Sequence, residues 1–262
     1  MTPRSFQTLV GLFPNLGPDG AWYDGQHCEL DPTLRLILDR AAAGYDDALR
    51  HAIEFWVVNN ERIVPFMAER ISLGETYALA NCVQRHTDRL VCAGIEQAKA
   101  AACAQSYGRI VKGHADRLTA GVGEPLFPNQ EVILYRGWAV RLSEFATGWD
   151  SGAMFSCPVP LACTLNPDIV PLHFAWKRQN LVRDSFPGEP VAAIILQIRI
   201  EAEHASRLIW AGFMPHKEPK QDHRWQQEIL APPNFRFTVT SHLPVPGASA
   251  HLNWVEATGS FP

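Results

Sequence analysis

Three short runs carry residue types able to do chemistry, and they fall in the order arginine, hydroxyl, carboxylate. Leu134-Tyr135-Arg136-Gly137 closes an apolar run with an arginine. A guanidinium is a natural phosphate anchor because its planar fork donates two parallel, charge-assisted hydrogen bonds, and Gly137 beside it leaves room for a ligand to approach the backbone. Cys163-Thr164-Leu165-Asn166-Pro167 sets a hydroxyl before a turn. Trp225-Gln226-Gln227-Glu228-Ile229-Leu230-Ala231-Pro232-Pro233 then delivers a carboxylate by a strand. Strand alternation puts residues 226 and 228 on one face, so an amide and a carboxylate point into one space. Each run alone has an ordinary reading, as an ion pair, a turn, or solvated edge-strand polarity. The order of the three is what asks for a chemical explanation.

The elements that must position these groups divide the chain. Residues 1–30 are rich in Gly and Pro with isolated aromatics and read as an N-terminal extension. From Asp31-Pro32 the pattern turns helical, with Pro32 at a first helical position and Leu34, Leu36, Ile37 and Ala41 at helical spacing. Ala48, Ala52, Phe55, Trp56 and Val58 continue in a second helix, ended or kinked near Pro65. A third, Ala-rich segment covers 75–105, and the helical lobe spans residues 31–125. After Gly121-Val122-Gly123-Glu124-Pro125 short β-type runs are punctuated by Pro and Gly. Strands are expected at 132–135, 191–200, 208–212, 227–230 and 235–241, with one short helix between 168 and 183. Helices first and strands afterwards, without βαβ alternation, indicate an α+β fold with its β core over 126–262.

Composition bounds the possibilities. The 262 residues are 47% hydrophobic, enough for a large core, and the net charge is −4 with no dense Lys/Arg run, so the electrostatic footprint of a nucleic-acid binder is missing. Cys28, Cys82, Cys92, Cys103, Cys157 and Cys163 form no C-x-x-C pair, which argues against a zinc ribbon or redox dithiol and reads as reduced, mostly buried thiols. The ten histidines lack H-x-x-x-H spacing, and no G-x-S-x-G occurs, so neither a metal set nor a serine hydrolase is expected. Residues 1–20 lack a basic region followed by an apolar stretch, and no run reaches the length needed to span a bilayer.

Taken with their flanks, the three runs resemble the Arg–Ser–Glu class of mono-ADP-ribosyltransferases over roughly residues 126–242. The counterparts are Arg136-Gly137; Ala162-Cys163-Thr164-Leu165-Asn166-Pro167 with Phe174-Ala175; the strand ending 196–200; 226–232; and Arg236-Phe237-Thr238-Val239. The resemblance implies an ADP-ribosyltransferase fold, a helical lobe followed by a mostly antiparallel two-sheet β core forming an NAD cleft. It implies NAD as substrate, no metal, and transfer of ADP-ribose to a side chain of a host protein by a bacterial effector or toxin. Such a protein is delivered by a specialised secretion system and acts in host cytosol.

Residue by residue, the resemblance makes Glu228, Arg136 and Thr164 the catalytic set. Glu228 stabilises the oxocarbenium-like ribose, Arg136 grips the pyrophosphate, and Thr164 orients Glu228 and the ribose. Arg136, Gly137, Thr164, Phe186 and Tyr135 would hold the cofactor, and Gln226 and Trp225 would face the acceptor. Three departures stand out. The hydroxyl run reads Ala162-Cys163-Thr164; Phe186-Pro187-Gly188-Glu189 has Glu where a clamp arginine is expected, leaving another basic residue such as Arg183 to supply the charge; and Gln226 replaces a first Glu, which disfavours arginine as acceptor. Asn, Gln, Ser or Thr are then the acceptors, and a threonine of ubiquitin is the finer expectation. A non-catalytic protein-binding relative and an NAD glycohydrolase are the alternatives.

Overall fold

The computed structural model describes residues 32–121, 126–127, 129–165, 170, 182–213, 227–244 and 252–262. The extension over 1–30, most of the expected 168–183 helix, Asn166, Trp225 and Gln226 lie outside the described residues.

Four helices build the lobe: α1 (Pro32–Ala43), α2 (Asp47–Leu73), α3 (Glu75–Cys92) and α4 (Gln97–Ala120). In α1 the buried face is Leu38 and Ala42, whereas Leu36 and Ile37, expected to face inward, are exposed at 52% and 49%. Asp46 caps α2 by accepting the Leu49 N–H at 2.7 Å, and Arg117 of α4 donates to its other oxygen at 2.8 Å, which ties the start of α2 to the end of the lobe. Pro65 lies inside α2 and does not end it; the bend sits at Asn59 (φ −133°, ψ 33°). A proline removes one N–H and crowds the preceding turn, so a helix that continues past it bends upstream. The expected single helix over 75–105 is two, because Gly94 takes φ 87° after Ala93 and reverses the chain.

The core domain carries β1 (Val132–Arg141), α5 (Leu142–Gly148), β2 (Met154–Cys157), β3 (Leu161–Thr164), β4 (Val191–Ile200), α6 (Ala202–Ala205), β5 (Ile209–Trp210), β6 (Glu228–Ala231), β7 (Phe235–Pro244) and β8 (Leu252–Ser260). The strand order is β2-β7-β8-β4-β1-β3-β6-β5. All pairings are antiparallel except β4 with β8, so the architecture is α+β with a mixed sheet. β1 and β4 pair over their full length from Val132↔Ile200 to Arg141↔Val191, whereas β1 and β3 meet at the single pair Tyr135↔Thr164. The eight strands therefore form a five-stranded half, β2-β7-β8-β4-β1, and a three-stranded half, β3-β6-β5, that part on either side of one contact.

β4 is apolar on both faces and buried along nearly its whole length, as a central strand covered on both sides must be. One contiguous set of buried residues runs from Leu38, Trp56 and Phe66 in the lobe to Ile194, Trp210, Ile229 and Phe237 in the sheet. Lobe and sheet thus share a core.

Candidate active site at the split of the sheet

The register aligns three of the expected site residues in a row. Tyr135 of β1 pairs with Thr164 of β3, and Thr164 pairs with Glu228 of β6. Opposed residues of antiparallel strands point to one face, so these side chains share a face. Arg136, the next residue of β1, is out of phase with them and stands where β1 and β3 diverge.

Arg136 closes that gap. Its Nη1 donates to the Ala162 carbonyl across the split, and its guanidinium lies over the Trp138 ring at 4.9 Å, a cation–π contact that orients the fork. Its Nε is buried with no hydrogen-bond partner among the described residues. Burial pulls the Arg136 pKa down, and the neighbouring Cys163, Cys157 and Glu228 oppose that shift. Glu228 is half-buried, and Trp56 Nε1 of α2 donates to its Oε1 at 3.2 Å. Burial pushes the Glu228 pKa up; the Trp56 hydrogen bond and the Arg136 charge hold it down. A desolvated carboxylate and a desolvated guanidinium thus lie near enough at the break in the sheet for each charge to shift the other's pKa, an environment in which fixed charges act strongly.

The backbone just before Glu228 departs from the expected strand. Gln227 is 3% exposed and takes φ 49°, a left-handed conformation rare outside glycine. Its carbonyl accepts the Leu165 N–H at 3.4 Å. β6 begins only at Glu228, so strand alternation does not reach back from 228 to 226. The Glu228 carbonyl is fixed in turn by the Ala211 N–H at 2.9 Å.

The remaining expected residues scatter. Gly137 is buried opposite Ile195 within β1 and β4. Tyr135 is 4% exposed and packs on Trp254 at 6.3 Å between ring centroids, a core placement rather than an open stacking face. Thr164 is fully buried and lies directly across from Glu228, and the Glu228 carboxylate accepts a hydrogen bond from Trp56. Phe186 lies at the far end of β1, about 16 Å along the strand from Arg136 at roughly 3.3 Å per residue, where the Arg141 guanidinium sits 4.7 Å from its ring centroid. Arg141 also bonds Glu144 at 2.6 Å and approaches Glu189 at 3.7 Å. Arg141 is thus a guanidinium that the structure sets on Phe186. Trp56 and Trp138 were legible only as apolar residues. No spacing signal relates Trp56 to a carboxylate 172 residues away.

Among the described residues no group of three His, Cys, Asp or Glu side chains is arranged to hold a metal ion, and no helix is long and apolar enough to cross a membrane.

No protein-family model matches the chain, and no curated protein matches it. Solved structures do. The C3 exoenzyme of Clostridium limosum aligns at a TM-score of 0.50 and 13% identity, covering 87% of this chain and 93% of that one. Plx2a, an ADP-ribosyltransferase toxin from Paenibacillus larvae, aligns at 0.48 and 10% identity over 86% and 92%. The Vis toxin, an ADP-ribosyltransferase from Vibrio splendidus, aligns at 0.41 and 18% identity over 87% and 82%. At these identities the likeness concerns the fold, and the C3 alignment carries it. A helical lobe ahead of a split, mixed sheet is here the ADP-ribosyltransferase fold.

Proposed function

We propose that this protein is an NAD-dependent mono-ADP-ribosyltransferase that modifies a side chain of a target protein. The observation that supports it best is the electrostatic coupling of the desolvated Glu228 and Arg136 near the split between β1 and β3. Cleavage of the bond between nicotinamide and ribose passes through an oxocarbenium-like state. The nicotinamide leaves with the bonding electron pair, positive charge grows on the ribose, and the acceptor's lone pair closes on the same carbon while its proton is lost. Glu228, ionised, stabilises that charge more than it stabilises neutral ribose. Arg136 binds the pyrophosphate through donors already held between Trp138 and the Ala162 carbonyl. Thr164 lies beside Glu228 and packs the ribose side of the site.

The acceptor follows from residue type. Gln226, two residues before the carboxylate, offers an amide that bonds amides and hydroxyls without demanding positive charge, so Thr, Ser, Asn or Gln of a host protein is the acceptor, with a threonine of ubiquitin as the specific candidate. Trp225 supplies the adjoining apolar contact. This is the activity of an effector or toxin exported by a specialised system and acting in host cytosol. The run Ala162-Cys163-Thr164 favours a second reading, a protein-binding relative that leaves NAD intact.

Transfer of label from adenine-labelled NAD to protein in a eukaryotic lysate, wild type beside Glu228→Ala, with purified ubiquitin as a separate acceptor, tests this. A band lost in the variant supports the transferase, and a ubiquitin band supports that acceptor. Free ADP-ribose without a labelled protein means a glycohydrolase. Intact NAD in every lane overturns catalysis.

A further inference from the structure

The helical lobe reaches the candidate carboxylate directly. Trp56 lies one turn after the fully buried Ala52 and Ile53 and three residues before the bend at Asn59, and it is itself 3% exposed. Its indole N–H donates to Glu228 Oε1 at 3.2 Å. Two further hydrogen bonds anchor the lobe one register position away. The Trp210 N–H donates to the Tyr45 hydroxyl at 2.9 Å, Trp210 Nε1 donates to Asp39 at 3.2 Å, and Trp210 pairs with Ile229, the residue after Glu228.

We infer that Trp56 is a positioning residue for Glu228: its indole holds one carboxylate oxygen, leaving the other for the ribose, so that the helical lobe completes the catalytic geometry. The inference rests on the transferase reading of the site. An indole suits the task because it donates and cannot accept; it fixes a carboxylate without competing as an acid or base. Among the described residues the Trp56 indole is the side-chain donor that reaches the Glu228 carboxylate, while the residue across from it on β3 is Thr164. A purely structural Trp56 would need only some acceptor for its buried N–H. What separates the two roles is whether the indole sets the state of the carboxylate. Two titratable groups sit close to that carboxylate: the charged Arg136 from β1, and the Cys163 thiol, which burial pushes up to about 12 and so keeps neutral.

The test compares wild type, Trp56→Phe, which keeps a ring but lacks the donor, and Trp149→Phe, a control at another tryptophan 3% exposed. The Glu228 carboxyl carbon is followed by NMR against pH, and NAD cleavage is measured on the same proteins. In Trp56→Phe the Glu228 midpoint moves up, because the bond that favours its ionised form is gone. The acid limb of the rate follows it, and kcat falls about 10-fold or more, the size of one hydrogen bond to a charged group, with the KM for NAD nearly unchanged. Trp149→Phe moves neither. An unchanged midpoint overturns the inference, even if the rate falls, and so does a shifted midpoint with full kcat. Wild type that leaves NAD intact overturns the transferase reading and Trp56's part in it, while the titration still decides whether the indole holds the carboxylate.

Discussion

Burial raises the folded-state pKa of Glu228 above that of an unfolded glutamate, and the Trp56 hydrogen bond and the Arg136 charge only partly offset it. The linkage sign follows. A raised carboxylate helps stability fully only below its unfolded pKa, and that contribution is lost as pH rises through the folded value. At neutral pH the charged form is therefore a cost to folding. Glu228→Gln should raise the Tm at pH 7 and do so less as pH falls from the raised folded value to the ordinary glutamate value, while NAD cleavage drops on the order of 100-fold or more. Thermal unfolding across pH, beside rates at pH 7, checks both halves. The thiols follow the same physics. Burial pushes Cys157 to about 11 and Cys163 to about 12, and the nucleophile is the thiolate. A maleimide at pH 8 should label exposed Cys92 and Cys103 in the native protein and spare buried Cys82, Cys157 and Cys163, as peptide mass spectrometry would read out. At this scale the sequence was partly transparent. Residue type and order singled out Arg136 and Glu228 as candidates, but not Trp56, since a contact across 172 positions leaves no periodic trace. Nor did any signal mark the left-handed Gln227, because such a conformation is expected at Gly or Asn.

Elements were legible where burial is simple. The 191–200 run became β4 as expected because a strand buried on both faces reads as continuous apolar sequence. β2, β3 and β8 were not anticipated: β2 and β3 have only four residues each, and β8 holds Asn253, Thr258, Gly259 and Ser260 among its apolar positions. β8 is a strand because it lies parallel to β4 and antiparallel to β7, and that pairing is non-local information. The α3–α4 break was missed for the opposite reason, since Ala-rich periodicity continues through it and only Gly94 marks the turn. Those two helices pack closely through Gly108, where an added Cβ would lie 2.8 Å from Val83 Cγ2 and 3.1 Å from Leu79 Cδ1. Gly108→Val should therefore separate the pair, costing about 1–3 kcal/mol by overpacking. A urea titration followed by helix ellipticity would show it, with Gly113→Ala, where nothing lies within 4 Å, as the neutral or stabilising counterpart.

Lobe and sheet share one buried set of residues, and the polar bonds between them converge on β5 and β6. A lobe docked on the strands that carry the candidate carboxylate should melt with them. Tyr45 is the place to ask. Its ring is 6% exposed, its hydroxyl accepts the buried Trp210 N–H, and burial raises its pKa far above the ordinary tyrosine value. Tyr45→Phe keeps the ring and its edge contact with Phe213, whose centroid is 5.9 Å away, but leaves the Trp210 N–H without an acceptor. A buried donor stripped of its partner costs about 1–3 kcal/mol, enough to lower the Tm by several degrees. If lobe and sheet are one cooperative unit, the variant still unfolds in a single transition, with calorimetric and van't Hoff enthalpies equal. Helix ellipticity and tryptophan fluorescence then report the same midpoint. Two separated transitions, with helix signal lost first, would instead make the lobe an independent body, and the Trp56–Glu228 bond would open below the temperature at which the sheet melts.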